Sequence, residues 1–341
     1  MTALTKYLAG TVQAAPAFLD LAAGLRKTIA LIDEAGAKGV KLLAFPEVWL
    51  PGYPFWTWFI PSVEAVGTLP ALHRNSVAAD SPEVAALCEA ARRNSLTAVI
   101  GICERSYGSL YIAQLIIGEN GKLIACRRKL RSTYSERTVF GDGDGSDLLV
   151  IETSVGRLGA LNCWEHIQPL VKAAMFSQHE QVHVAGWPPF FDSAKSPAYA
   201  LSADPALAAS QTYALEGQCF VLSSTLMLDE AFLAGQNAMC GRELPLPAGG
   251  GRSMIYGPDA RPLADFLPQD KEGIVTAEID MDLITFAKTM ADPVGHYARP
   301  DVVALRFDQT NRRNPHRAMV AEPASNDEPD TLPIDGSRSP A

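Results

Sequence analysis

The sequence predicts an α/β fold with mixed sheets, and three observations predict it. Short apolar runs alternate with capped amphipathic stretches, an Asn-Gly pair marks an antiparallel hairpin within that alternation, and the two halves of the chain read alike. Tyr7 to Gln13 reads as a first strand. Asp20 then caps a helix whose apolar positions are Leu21, Leu25, Ile29 and Ile32, ended by Gly39. A second strand starts near Lys41 and delivers Glu47 at its end. Ser81-Pro82-Glu83 opens a second helix, with capping residue, N1 proline and first-turn acid in their preferred places and an apolar face of Val84, Leu87, Cys88 and Ala91. Strands follow at Thr97 to Glu104, Leu110 to Ile117 and Lys122 to Arg127, the last two joined through Asn120-Gly121. The second half repeats the alternation. Leu148 to Glu152 and Leu158 to Leu161 pair across a turn at Ser154 to Arg157. A helix at Ile167 to Ser177, a strand at Gln181 to Gly186, a helix around Pro205 to Glu216 and a strand at Cys219 to Ser224 complete it. Sheets covered by helices on one face must hide the other face against a second sheet, so two similar halves imply a sandwich.

With 341 residues and 48% apolar content the chain can bury a large core. Residues 1–308 read as one domain. Residues 309–341 turn polar and rich in Pro, Ser, Asp and Asn, and are expected to be mobile and without chemistry. A net charge of -9 with no basic patch argues against nucleic acid as a partner. No apolar run reaches the roughly 18 residues of a membrane span, and no secretory leader is evident, so the expected compartment is the cytoplasm. The six cysteines (88, 103, 126, 163, 219 and 240) show no C-x-x-C pair and are expected to be reduced, five of them as core filler.

The sixth, Cys163, carries the chemistry. It stands in LGALNCWEH between an apolar strand and a helical stretch, where unpaired backbone N–H groups favour thiolate and can hold developing negative charge. Glu47 ends Lys41-Leu-Leu-Ala-Phe-Pro-Glu and enters the aromatic loop PGYPFWTWF, where partial desolvation raises a carboxyl towards base strength. Lys129 ends KLIACRRKL, and Glu136 follows seven residues later in a Gly- and Asp-rich loop. A cation near a carboxylate and a thiol can stabilise charge building on a substrate.

In this order the three segments resemble the nitrilase (carbon-nitrogen hydrolase) superfamily, whose signature is a Glu–Lys–Cys triad on separate strand ends. FPEVWLPGYP, RRKLRSTYSERTVFGDGDGSD and LGALNCWEH carry the likeness, and EQVHVAGWP, YALEGQCFVL, IYGPDA and DPVGHYARPDV extend it over residues 5–308. Cys-Trp-Glu-His resembles the true nitrilases, most closely the bacterial aliphatic and arylacetonitrile enzymes. The loop Arg131 to Glu136 departs from the Lys-Pro-Thr-His-Val-Glu common in relatives but keeps Glu136. The resemblance implies an αββα four-layer sandwich, hydrolysis of a nitrile through a thioimidate and a thioester, and no metal or organic cofactor. Cys163 is the implied nucleophile, Glu47 the base, Lys129 the charge stabiliser, and Glu136 the group that orients it. Self-association to a dimer and to spiral filaments is implied as well. An amidase or a cyanide-hydrolysing enzyme of the same superfamily is the alternative. Tyr53, Tyr134, Trp164, Trp187 and Pro188 are expected to line the pocket, and His166 and His296 to stand behind the site.

Two other matches point elsewhere. His179-Glu-Gln-Val-His183 fits the zinc-peptidase pattern H-E-x-x-H, which works only on a helix, whereas QVHVAGW alternates like a strand. Gly249-Gly250-Gly251 lacks the lysine of a phosphate loop and reads as a flexible connection.

Overall fold

The computed structural model describes residues 4–192 and 199–313. In chain order the elements are β1 Lys6–Gln13, α1 Leu21–Ala37, β2 Val40–Ala44, the short α2 Trp56–Phe59, α3 Ser62–Ala65 and α4 Leu69–Asn75, then α5 Pro82–Asn94, β3 Thr97–Ser106, β4 Ser109–Ile117, β5 Leu123–Arg128 and β6 Phe140–Gly141. The second half carries β7 Val150–Thr153, β8 Gly156–Asn162, α6 Pro169–Phe176, β9 Val182–Trp187, α7 Ala203–Gly217, β10 Phe220–Thr225, α8 Glu230–Cys240, β11 Met254–Tyr256, β12 Gly273–Asp280 and α9 Asp282–Ala291.

One sheet runs β12-β1-β2-β3-β4-β5, with β6 beside β4, and the other runs β11-β10-β9-β8-β7. Each has three parallel strands at its centre (β1-β2-β3 and β8-β9-β10) and antiparallel neighbours outside them. Alternate residues of both sheets meet in a shared core: Leu42, Ala44 and Val99 face Leu158, Ala160, Val182, Val184, Phe220 and Leu222. The residues between them point outward, Leu43, Ala98 and Ile100 to α1 and α5, and Leu161, Ala185 and Val221 to α6 and α7. The layers are therefore αββα, as the resemblance implies.

Details of the local reading change. Asp20 caps α1 as expected, accepting from Ala23 N at 2.9 Å. The fully buried face of α1 is nevertheless Gly24, Thr28, Ile32 and Ala35, with Leu21, Leu25 and Ile29 half-buried at its flank, because the segment after β2 packs closely there: Leu50 lies against Gly24, and Trp49 Nε1 donates to the Thr28 hydroxyl at 2.7 Å. Ser81 holds the N-cap position of α5 without a side-chain cap bond. The predicted triple-glycine connection is tied down instead: Gly249 pairs with Leu228, and Gly250 O accepts from Phe190 N. Both glycines take φ near +90°, which explains the residue type. β12, the antiparallel partner of β1 over its whole length, is a strand the sequence reading missed. The compact unit ends at Asn311. Of the polar tail, residues 314–341 lie outside the described residues. No helix among the described residues is long and apolar enough to cross a membrane.

Candidate active site

Three strand ends converge. The chain leaves β2 at Ala44 and returns across β3, where an added Cβ on Gly101 would stand 1.9 Å from the Pro46 carbonyl oxygen; only glycine lets the segment carrying Glu47 lie this close. Lys129 prolongs β5, its N–H still donating to Ile112 O at 2.7 Å. Cys163 follows β8 directly with φ +50°, a left-handed conformation that is uncommon for a residue with a side chain. A 3₁₀ turn, Cys163–Ile167, separates it from α6. Glu136 lies in a second 3₁₀ turn, Tyr134–Thr138.

Side-chain exposure is 0% for Glu47 and 1% for Lys129 and Glu136. The Lys129 ammonium donates to Glu47 Oε1 and Glu136 Oε2, both at 2.9 Å. Glu136 also accepts from the Tyr53 hydroxyl at 2.6 Å and from Thr133 N at 2.6 Å, while Trp58 Nε1 donates to the Tyr53 oxygen at 3.0 Å. Glu47 Oε2 is buried and has no partner among the described residues. Burial pushes the Glu47 carboxyl up to about 8; Lys129 pulls it down and Glu136 raises it further. The Cys163 thiol is pushed well up, first by burial and then by Glu47, with Lys129 opposing. This direction runs against the thiolate that the sequence position favours, so the thiol proton calls for an acceptor as the sulfur attacks.

A second buried charge cluster braces the first. Arg127 makes a two-pronged contact with Glu165, 2.8 Å on each arm, and the same carboxylate accepts from Leu130 N and Asn162 N, both at 2.8 Å. Glu165 thus ties the segment after Lys129 to the one before Cys163. Asp147 accepts from Arg128 N at 2.6 Å and anchors the Gly- and Asp-rich loop on the same strand.

The cavity above Cys163 has a volume of about 160 Å³ and is mainly apolar, walled by Tyr53, Phe55, Trp58, Pro188, Phe191 and Leu246. Of the expected pocket residues, Tyr53 and Pro188 stand in this wall. The other three do not. Trp187 is buried in the outer layer, stacked on His166 at 5.0 Å. Trp164 turns into a different cleft, with Leu130 and Glu165. Tyr134 is 73% exposed and rests its ring on Trp58 at 5.5 Å. His166 does stand behind the nucleophile, its Nδ1 2.6 Å from Cys163 O. His296 is exposed beside Asp292 and takes no part in the cavity. His179 is exposed in a turn whereas His183 is buried on β9, so the imidazoles of the H-E-x-x-H match do not meet. Sequence reasoning missed Arg127 and Glu165. The signal was present, since Asn162-Cys-Trp-Glu165 has the N-x-x-E spacing that lets a glutamate return to the backbone N–H of a turn's first residue.

The carbon-nitrogen hydrolase family model matches residues 8–289. The chain is 44% identical over 311 residues to an aliphatic nitrilase of Rhodococcus rhodochrous, covering 90% of this chain and 80% of that one. It is 43% identical over 304 residues to an arylacetone-specific nitrilase of Alcaligenes faecalis, covering 89% and 85%. Among solved structures, the carbon-nitrogen hydrolase of Helicobacter pylori G27 superposes with a TM-score of 0.68 at 20% identity, covering 87% of this chain and 96% of that one. The chain belongs to the carbon-nitrogen hydrolase family, in its nitrilase branch.

Proposed function

We propose that this enzyme hydrolyses a nitrile to its carboxylic acid and ammonia, with Cys163 as nucleophile and Glu47 as base. The observation that carries the reading is the Lys129 ammonium held between Glu47 and Glu136 beside Cys163 at the cavity, with one Glu47 oxygen left without a partner among the described residues. As sulfur adds to the nitrile carbon, the thiol proton passes to Glu47 and from Glu47 to the nitrile nitrogen, giving a thioimidate and restoring the carboxylate. Lys129 and the Trp164 backbone N–H stabilise the developing charge. A water that gives its proton to Glu47 then adds to the thioimidate carbon. The tetrahedral intermediate loses ammonia to leave a thioester, and a second water releases the acid and restores the thiol. Nucleophile, base and cation are all side chains, so the sequence of steps needs no cofactor.

The apolar wall suits a neutral aliphatic or arylaliphatic nitrile. Self-association is part of the reading, supported by Ile167, Leu170 and Leu215 exposed on the outer helical layer, and six cysteines outside any disulfide support a cytoplasmic setting. The test is ammonia release from a panel of aliphatic, arylaliphatic and aromatic nitriles and their amides. Nitriles turned over to acid are expected. Faster turnover of the amides would make the chain an amidase instead.

A further inference from the structure

Behind Cys163, on the outer face of the second sheet, four buried side chains form a line that the proposed chemistry leaves unused. His166 Nδ1 lies 2.6 Å from Cys163 O, His166 Nε2 lies 2.9 Å from His183 Nε2, and His183 Nδ1 lies 2.7 Å from Glu180 Oε1. The Tyr213 hydroxyl donates to Glu180 Oε2 at 2.7 Å. None of the four lines the cavity, and all are at most 1% exposed. His166 stacks on Trp187 and His183 on Tyr213, which holds the rings in place.

The hydrogens can be counted. A carbonyl oxygen only accepts, so His166 Nδ1 must carry a hydrogen; the two remaining contacts each need one more. Two neutral imidazoles supply two hydrogens for these three contacts. The third must sit on the Glu180 carboxyl or make one ring cationic.

We propose that Glu180 is a neutral carboxylic acid whose O–H starts a one-way chain, Glu180 to His183 to His166 to the Cys163 carbonyl, and that this chain holds the nucleophile's backbone in its left-handed conformation. Glu180 is then a positioning residue, reached from Cys163 through two rings. Its surroundings agree. Tyr213 and Cys219, the titratable groups facing it from α7 and the segment behind α7, are both held neutral by burial. β8 presents Gly159, whose missing Cβ leaves the space Glu180 Oε1 occupies, and α6 presents Met175. Lys288 of α9 acts on Cys219, and Arg127 and Glu165 act on both rings with opposite sign. Burial pushes Glu180 up to about 8 and both histidines well down.

Two measurements test this, the second resting on the hydrolytic reading above and the first independent of it. Histidine ring ¹⁵N NMR at neutral pH should show both rings neutral, His166 as the Nδ1–H and His183 as the Nε2–H tautomer. An imidazolium at either position overturns the proposal. In the second, kcat is followed against pH on whichever nitrile or amide is turned over. Ionising Glu180 removes one hydrogen from the chain, so the parent should lose about threefold to tenfold in kcat above pH ~8, the size of one buried hydrogen bond. Glu180→Gln, whose amide donates at every pH, should retain kcat at neutral pH and lose that alkaline limb. Tyr213→Phe removes a bond that favours the anion, so it should move the limb to higher pH. A Glu180→Gln enzyme that keeps the parent's alkaline limb, or that folds but loses as much activity as Glu180→Ala, overturns the proposal.

Discussion

Two buried cation–carboxylate clusters are built on residues two apart along the β5 segment, and they differ in how the carboxylate is held. Around Arg127 every site is used: four donors fall on the two oxygens of Glu165, and against the burial that would raise it the carboxyl is held below its ordinary value by Arg127 and two backbone N–H groups. Around Lys129 one oxygen of Glu47 has no partner among the described residues, and the same burial leaves that carboxyl raised to about 8. Desolvation is common to both; four donors pull Glu165 down against it, while Glu47 has the Lys129 ammonium as its donor and the like charge of Glu136 beside it. A saturated carboxylate is a brace, and one left a bond short is a base within reach of neutral pH.

The comparison can be broken at its reactive member first. Cys163→Ala should bring ammonia release down by ~10⁴-fold or more, as loss of a nucleophile does, while circular dichroism and the unfolding midpoint stay near those of the parent. Glu47→Gln should cost ~10² to 10⁴ in turnover and leave a covalent enzyme–substrate adduct visible by intact mass, absent from the Glu47→Gln/Cys163→Ala protein. Turnover within threefold of the parent would remove Glu47 from the reaction. The linkage sign follows from its raised value: the cost of burying the anion is absent below the ordinary 4.5 and grows as pH rises towards 8. The variant should therefore gain in unfolding midpoint over the parent as pH rises across that interval.

At the brace the order reverses, with stability falling before chemistry. Glu165→Gln leaves Arg127 buried without its counter-charge and should cost on the order of 3–5 kcal/mol of unfolding free energy, read by denaturant melts. Because the Glu165 carboxyl is lowered, its contribution is present above the ordinary 4.5 and lost as pH falls through the folded value, an acid sensitivity the variant should lack. The smallest effect is expected at Tyr53→Phe, which deletes the 2.6 Å bond to Glu136 and should lower kcat by about tenfold or less, with KM little changed. A parent-like kcat would place Tyr53 in the cavity wall only.

How much of this was readable in advance follows from range. Asp20, the Asn120-Gly121 hairpin and the strand alternation act within a few residues, and their elements stand where the sequence put them. Glu47, Lys129 and Glu136 were legible as carboxylates and a cation at strand ends, and they meet at 2.9 Å. The orphan oxygen was not legible, since it depends on what fails to arrive from 80 residues away. Trp164 and Trp187 were misplaced for a related reason: residues flanking a nucleophile at a strand end alternate in direction, and which face opens on the cavity is decided by the opposite sheet. The cavity residues Phe191 and Leu246 had no periodic signal to announce them, whereas β12 had one that went unread, the apolar/polar alternation of Val275-Thr-Ala-Glu-Ile-Asp280.

Arg127, Arg128 and Lys129 stand in succession, yet the pleat sends them to separate acids: Arg127 to Glu165, Lys129 to Glu47 and Glu136, and Arg128 the other way, to Glu104 and the face of Tyr111 at 3.6 Å. The run is thus a vernier for β5 on β4. A slip by one residue would exchange every partner and bury a guanidinium where the ammonium belongs. Deleting a single residue between Leu123 and Arg127 should therefore be far more damaging than trimming the Glu119–Lys122 turn, and insertions should be tolerated only within that turn.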